Sequence, residues 1–410
     1  MQITLDGKSI LLGVTGSISA YKACEIARLF TKAGAQVHVV MTSAAERFVS
    51  ALTFEALTRN PVLTDKSESW ASDLNHIDIG KKCDIFLIAP CSANTLNKLS
   101  KGIADNILTQ TALAFGKEIL LAPAANTQML KNQHSVESLK TLGLNGFTLI
   151  EPQVKELACG DTGSGALAEP SEVFFAGAKA LLKEDFWDER AVVVTGGGTR
   201  EKIDEVRYVS NFSSGKMAKS LCLSLYLKGA NVTYITSMGS EALPESISIT
   251  AANDAQEMLS ATKDAITVAK QTNRAKEPYL FMVAAVADYT PSSPKEGKLK
   301  KVNLGQVWDI EMKQTTDILA TLDKTGMKTI AFKAEMDSVE GLKNAIALLT
   351  NKGVDAVCYN LLQDATSFGG DENEITFISK DRQVAFGRAD KLTLSDKIVT
   401  EAKKLIQEVH

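Results

Sequence analysis

Apolar residues recur along this chain in short β-branched runs, separated by stretches with helical spacing. The runs at 10–14, 36–41, 84–89, 118–122 and 147–150 predict strands. Between them, patterns such as 20–34 and 104–114 predict helices, and a short helix is expected over 171–183. A mostly charged stretch at 184–190 interrupts the rhythm, which then restarts. Strands are predicted at 191–195, 231–236, 279–284, 329–332 and 354–358, followed by a hairpin at 374–378 and 383–387 and a final helix from about Ser395. Strand and helix alternating in this way imply parallel sheets with helices on both faces. The expected architecture is α/β, with a Rossmann-like domain over 1–185 and a second Rossmann-like domain over 186–410.

Open parallel sheets bind ligands beyond the carboxyl ends of their strands. Two such ends stand out, Ile10-Leu-Leu-Gly-Val-Thr-Gly-Ser-Ile-Ser19 and Val192-Val-Val-Thr-Gly-Gly-Gly-Thr199. Each passes from an apolar strand into glycines and hydroxyl side chains, a turn that lets backbone N–H groups approach a phosphate. A dinucleotide fingerprint needs G-x-G-x-x-G and an acidic residue roughly 20 residues on. Here the following strands end in Met41-Thr42-Ser43 and Thr236-Ser237, without a carboxylate. Two mononucleotide or flavin phosphate sites are therefore expected.

Composition narrows the classes. The 410 residues are 45% apolar and 23% charged, as in an ordinary globular protein. A net charge of −4 leaves no electrostatic footprint for nucleic acid. No apolar run approaches the ~18 residues of a membrane span. The chain opens directly on a strand, so a cytoplasmic setting is expected. Six cysteines, scattered without C-x-x-C, argue against a zinc site or a disulfide framework.

Several polar residues follow predicted strands. His76, near the mouth of the first sheet, could move protons or could be a surface histidine. Ser92-Ala-Asn-Thr95 and Asn126 follow Ala-Pro strand ends and suit either a ligand or a helix cap. Cys159 sits in a glycine-rich stretch, 158–166, read as a loop or flap, where an exposed thiol can donate a proton or attack. In the second half, Arg207, Asn211 and Ser213-Ser-Gly-Lys216 form a dense polar stretch entering a helix. It lacks the glycine spacing of a Walker A loop. The basic run 295–301, with Lys298, Lys300 and Lys301, follows a strand and could clamp a triphosphate, while Asp288 could bind a nucleotide group or a hydrated divalent cation.

Taken together these segments resemble the bifunctional phosphopantothenoylcysteine decarboxylase/phosphopantothenate–cysteine ligase family of coenzyme A synthesis, over nearly the whole chain. The first half carries Gly16-Ser17, Asn75-His-Ile77, Ala89-Pro-Cys-Ser-Ala-Asn-Thr95, Gly102-Ile-Ala-Asp105, Pro123-Ala-Ala-Asn126 and Cys159. The second carries Thr199-Arg-Glu201, Asp204, Val206-Arg207, Ser210-Asn211, Ser213-Ser-Gly-Lys-Met217, Ala284-Ala-Val-Ala-Asp288 and Lys298-Leu-Lys-Lys301.

The resemblance implies FMN on Gly16, Ser17, Ser43, Ser92, Ala93, Asn94 and Thr95. It implies His76 as base, Asn126 as carboxylate binder and Cys159 as proton donor in an oxidative decarboxylation of phosphopantothenoylcysteine. For the second half it implies condensation of 4′-phosphopantothenate with cysteine through an acyl-cytidylate formed from CTP. Asn211 and Arg207 are implied to hold that intermediate and Lys298 to stabilise phosphate charge. Asp288, Lys300, Asp317, Ile318, Phe332 and Lys352 are implied to line the nucleotide site, with Mg2+ accompanying CTP on ligands the sequence does not assign. The family also implies a homo-oligomer, built from trimers of the flavin domain and dimers of the ligase domain, which together give a dodecamer. Departures from the family pattern are Ala125 for methionine, Leu130 for tryptophan, Ala166 for arginine, and Thr315-Thr-Asp-Ile318 for Asn-Pro-Asp-Ile. Ala125, Leu130 and Ala166 keep open a second reading, a ligase whose flavin domain is mainly a flavin-binding or oligomerisation scaffold. A third reading, from a different class, is a regulatory subunit that binds a partner protein through the flavin domain.

Overall fold

The computed structural model describes residues 2–156, 162–239, 241–300, 304, 306–362 and 369–406. The chain divides into two compact units, Gln2–Leu182 and Lys183–His410. Among the described residues of the first unit, β1 (Ser9–Val14), β2 (Gln36–Met41), β3 (Val62–Leu63), β4 (Ile85–Cys91), β5 (Ile119–Pro123) and β6 (Thr148–Leu149) form a sheet in the order β3-β2-β1-β4-β5-β6. All its pairings are parallel. The central strands are almost wholly buried, which is why they read as continuous apolar runs.

The helices are α1 (Ala20–Lys32), α2 (Ala51–Thr58), α3 (Asp78–Lys81), α4 (Ala93–Ser100), α5 (Ile107–Ala114), α6 (Thr127–Lys131), α7 (Gln133–Leu144) and α8 (Pro170–Leu182). One core joins Leu11, Val40, Phe86, Ile88 and Leu121 of the strands to Leu96, Leu108 and Leu142 of α4, α5 and α7. Elsewhere Phe30 of α1 meets Phe174 of α8 edge-on at 5.0 Å. The helix expected from 104 starts at Ile107, because Asn106 and Thr109 form a reciprocal capping box there.

The glycine-rich stretch departs from its expected loop character. Thr162–Ala166 is a strand, β8, paired antiparallel with β7 (Gln153–Glu156). Its glycines serve close approach rather than freedom. A Cβ on Gly165 would lie 2.1 Å from the Ala125 carbonyl oxygen, and one on Gly163 would lie 2.0 Å from the Thr127 hydroxyl. The Ala125 amide donates to the Gly165 carbonyl at 3.1 Å, so the hairpin is hooked onto the loop that follows β5. Cys159 lies outside the described residues.

In the second unit, β9 (Ala191–Gly196), β12 (Asn231–Thr236), β13 (Ser248–Ala251), β14 (Tyr279–Met282), β17 (Lys328–Glu335), β18 (Ala356–Leu361), β19 (Glu372–Ser379) and β20 (Gln383–Asp390) form a sheet in the order β13-β12-β9-β14-β17-β18-β19-β20. It is parallel from β13 to β18, and β19 and β20 close it as an antiparallel hairpin. Two small hairpins lie outside it, β10 (Arg200–Lys202) with β11 (Tyr208–Ser210), and β15 (Tyr289–Pro291) with β16 (Met312–Gln314). Helices α9 (Lys216–Leu227), α10 (Ala255–Thr272), α11 (Ile318–Thr321), α12 (Ser338–Asn351) and α13 (Lys391–Lys403) complete the unit. The last helix begins ahead of the expected Ser395, because the Asp390 side chain caps it by accepting from the Leu392 and Thr393 amides.

The charged stretch at 184–190 is not a solvated linker. Trp187 is fully buried, and its ring meets Phe186 at 4.9 Å and Tyr279 at 4.9 Å. The Arg190 guanidinium lies 3.9 Å from the centre of the Phe186 ring and donates to the Glu277 carbonyl at 2.7 Å. The apolar faces of two aromatic residues outweigh the charge count of the segment.

Candidate functional site

Strand order reverses between β1 and β4 in the first unit and between β9 and β14 in the second. Each reversal opens a crevice at the carboxyl ends of those strands. A fully buried threonine spans each one. In the first unit Thr15 donates to the Pro90 carbonyl at 2.7 Å and accepts from the Ser92 amide at 2.9 Å. In the second, Thr195 accepts from the Val283 and Ala284 amides at 3.2 and 3.3 Å. The strand ends on either side of both crevices are thus pinned to one another.

The first crevice gathers the residues expected to hold a flavin. Gly16 has no room for a side chain, since a Cβ would lie 2.6 Å from that of Ala44. The Ser17 hydroxyl accepts from the Ser19 amide at 3.3 Å, in the turn leading into α1. Ser43 donates to Asp65 at 2.6 Å, and the other oxygen of Asp65 accepts from the Ile107 amide at 3.0 Å. Ser92 caps α4 by accepting from the Thr95 amide. Ala93 and Thr95 are buried behind it while Asn94 is exposed. These glycines, hydroxyls and helix starts fit a phosphate-bearing ligand.

His76 is half-buried, with Nδ1 2.7 Å from the Glu68 carboxylate and its ring edge-on to Trp70 at 5.6 Å. Next to it, Asn75 is fully buried and accepts from the Ile77 and Asp78 amides, fixing the turn that presents the histidine. The Asn126 side chain accepts from the Gln128 amide at 2.9 Å, starting α6 directly under the β7–β8 hairpin. Of the altered positions, Ala125 supplies the backbone hook to that hairpin and Leu130 is buried.

In the second unit a cavity of about 490 Å³ opens where β9, β14, β17 and α9 meet. Asn211, Asp288 and Phe332 line it, together with Ser213 and the backbone of Gly197 and Gly215. Asn211 donates to the Val286 carbonyl at 3.0 Å. The remaining expected residues lie off the cavity wall. Arg207 donates through Nε to Asp204 at 3.0 Å and through Nη2 to the Leu299 carbonyl at 2.8 Å, with its guanidinium 4.6 Å from the centre of the Trp308 ring. That grip, reinforced by the Val206, Leu299 and Arg207 amides, holds the buried Asp204 carboxyl well below the usual carboxylate range, against the effect of burial. Leu299 is tied down in this way, between the exposed Lys298 and Lys300. Lys301 lies outside the described residues.

Asp317 caps α11 and forms an ion pair with Lys352. Burial raises the Asp317 carboxyl, but the Lys352 ammonium and the Ala320 amide outweigh it and hold the group below its ordinary value. Ile318, which follows it, is buried in the core. Thr315 joins this segment to the Asp288 loop. Its amide donates to the Asp288 carbonyl at 2.9 Å and its hydroxyl to the Ala287 carbonyl at 2.6 Å. The cavity also holds Lys333 and Lys391, which the sequence did not single out, beside Lys216 of the polar stretch that starts α9. Among the described residues no cluster of three or more His, Cys, Asp or Glu side chains is arranged to hold a metal ion.

The flavoprotein family model matches residues 2–179, and the model of the DNA/pantothenate metabolism flavoprotein C-terminal domain matches residues 187–406. A coenzyme A biosynthesis bifunctional protein CoaBC of Vibrio parahaemolyticus is 32% identical over 98% of this chain and 100% of its own length. The chain belongs to the bifunctional coenzyme A biosynthesis family. A second member of this family, from Bacillus subtilis, is 35% identical over 98% of both chains. Among solved structures, a PPC decarboxylase mutant complexed with pantothenoylaminoethenethiol is 36% identical, covering 42% of this chain and 96% of its own, with a TM-score of 0.39. Among the described residues no helix is long and apolar enough to cross a membrane.

Proposed function

We propose that the second unit condenses 4′-phosphopantothenate with cysteine using CTP and Mg2+, and that the first unit, with FMN, decarboxylates the resulting phosphopantothenoylcysteine to 4′-phosphopantetheine. The observation that carries this reading is full-length similarity to bifunctional relatives in a chain whose two units each open a pinned crevice at a strand reversal.

In the second unit, the substrate carboxylate displaces pyrophosphate from CTP to give an acyl-cytidylate. The amine of cysteine then attacks the acyl carbon and CMP leaves. Asn211 and Phe332 sit in the cavity wall where the acyl-cytidylate would bind, and Asp288 at the same wall suits a nucleotide hydroxyl. Arg207, fixed by Asp204, anchors the segment carrying Lys298 and Lys300, whose ammonium groups would offset phosphate charge. Asp317, Ile318 and Lys352 support that wall through Thr315 rather than from within it. Magnesium would arrive with the nucleotide phosphates, as is usual for this cation.

In the first unit, the turn at Gly16 and Ser17, the Ser43 hydroxyl and the start of α4 from Ser92 to Thr95 would hold FMN, which supplies the two-electron redox chemistry. His76, oriented by Glu68, would take a proton from the substrate, and Asn126 would bind the carboxylate that leaves as CO2. Cys159 would return a proton to the product carbon. Large apolar side chains flank these loops in the open, among them Ile18, Tyr21, Phe48 and Leu52. They suit subunit contacts of the first unit; trimers of that unit, dimers of the second, the dodecamer these would build and a cytoplasmic setting follow from the family resemblance.

Purified chain supplied with 4′-phosphopantothenate, cysteine, CTP and magnesium should yield 4′-phosphopantetheine, CMP and CO2 by mass spectrometry. Accumulation of phosphopantothenoylcysteine would retain the ligase and remove the decarboxylase. Absence of any acyl-cysteine product would overturn the assignment of the second unit. Light scattering on the same sample checks the dodecamer.

A further inference from the structure

Lys391 occupies a position that elementary electrostatics disfavours. It is the first residue of α13, where the helix gathers partial positive charge and a cation is unwelcome. Its side chain is only 5% exposed, and burying an ammonium is costly unless it is paired. Its Nζ donates to the Gly370 carbonyl oxygen, a neutral acceptor, although an ammonium carries three donors. Asp371, the carboxylate acting on it, is itself engaged by Lys216 at 2.6 Å. Lys216 is the first residue of α9, whose cap is Gly215, in left-handed conformation and without a capping side chain. Burial first, and the neighbouring Lys216 next, push the Lys391 ammonium below its ordinary range.

Lys216, Lys333 and Lys391 all line the 490 Å³ cavity, and Lys333 is paired with Glu335 at 3.0 Å. Two helix starts and two crowded cations therefore converge on one space. Local rules broken together at a cavity wall call for a compensating partner, and the partner that fits two ammonium groups and a bare helix start is a phosphate.

We propose that Lys391, with Lys216, grips a phosphate group of the ligase substrates. This rests on the ligase reading of the second unit and adds to it the residues that bind substrate phosphate. Two substrates bring such a group, 4′-phosphopantothenate through its ester phosphate and CTP through its polyphosphate, and the same cation chemistry suits both.

The test uses the full chain with Lys391→Gln and Lys391→Arg, varying 4′-phosphopantothenate, CTP and cysteine in turn. Lys391→Gln should raise the KM of one phosphate-bearing substrate by about tenfold or more, the scale of a lost charge-assisted hydrogen bond, and leave the KM for cysteine unchanged. Lys391→Arg should recover most of the loss. A rise confined to one of the two substrates identifies which phosphate is held. Unchanged KM for both, or an equal rise for cysteine, overturns the proposal. A second measurement needs no turnover: inorganic pyrophosphate should raise the Tm of the unaltered chain and not that of Lys391→Gln, and an equal rise in both overturns the proposal. If the unaltered chain gains Tm with pyrophosphate yet forms no acyl-cysteine, the ligase reading fails while the phosphate grip stands. Without ligand, the Tm of Lys391→Gln should equal or exceed that of the parent, since a disfavoured cation is gone. A lower Tm would mark Lys391 as a structural post and refute the grip.

Discussion

Thr15 has one hydroxyl and two obligations, the Pro90 carbonyl and the Ser92 amide. Replacing it with valine keeps the shape and strands both partners in a buried place, at a cost of about 1–3 kcal/mol for each unsatisfied group. Thr15→Val should therefore loosen the mouth of the first crevice. We expect faster flavin loss on dilution, read by fluorescence, with ligation unchanged. Asp204 makes a different prediction. Its carboxyl titrates lower in the folded chain than in the unfolded one. It therefore stabilises the fold at pH above its unfolded value of about 3.9 and stops doing so as pH falls toward its folded value. Asp204→Asn should be less stable than the parent at neutral pH, and the gap should shrink on acidification below pH ~4, checked by urea midpoints across that range. The glycine and hydroxyl turns around these residues were legible in the sequence, because a phosphate turn has a compact local signature. The threonine latches were not, since Thr15 meets partners 75 and 77 residues away. Lys391 was hidden for a related reason: the sequence starts the last helix only at about Ser395, and the burial of a lysine ahead of it depends on packing from distant segments.

At the scale of elements, the strands were readable because a doubly covered parallel sheet needs unbroken apolar runs. Helix starts were less so, being set by the capping side chains Asn106 and Asp390, which overrode the periodicity. The glycine-rich stretch misled for a physical reason. Glycine signals both freedom and close approach, and at Gly163 and Gly165 it is the second that applies. Gly165→Ala would press a methyl group against the Ala125 carbonyl, and relief of such overpacking costs about 1–3 kcal/mol. The β7–β8 hairpin should then fail to seat on the loop carrying Asn126. Decarboxylation of supplied phosphopantothenoylcysteine should fall sharply, with flavin content and ligase rate unchanged. Because the hairpin is hooked by the Ala125 amide, hydrogen exchange at that amide should rise in the same variant.

At the scale of the molecule, each unit holds its own core and its own threonine latch. The segment after Leu182 folds wholly into the second unit, with the Glu184 amide donating to the Lys228 carbonyl and Trp187 buried against Tyr279. Cutting the chain between Leu182 and Lys183 should therefore leave two soluble halves that restore the complete conversion when mixed, measured by 4′-phosphopantetheine formation. Failure of either half to fold would show that the units depend on one another for stability. If both halves work, the single peptide bond joining them does no chemistry of its own. What it sets is stoichiometry: one reading frame delivers the maker and the consumer of an intermediate in equal number, a ratio that two separate genes would have to hold by regulation.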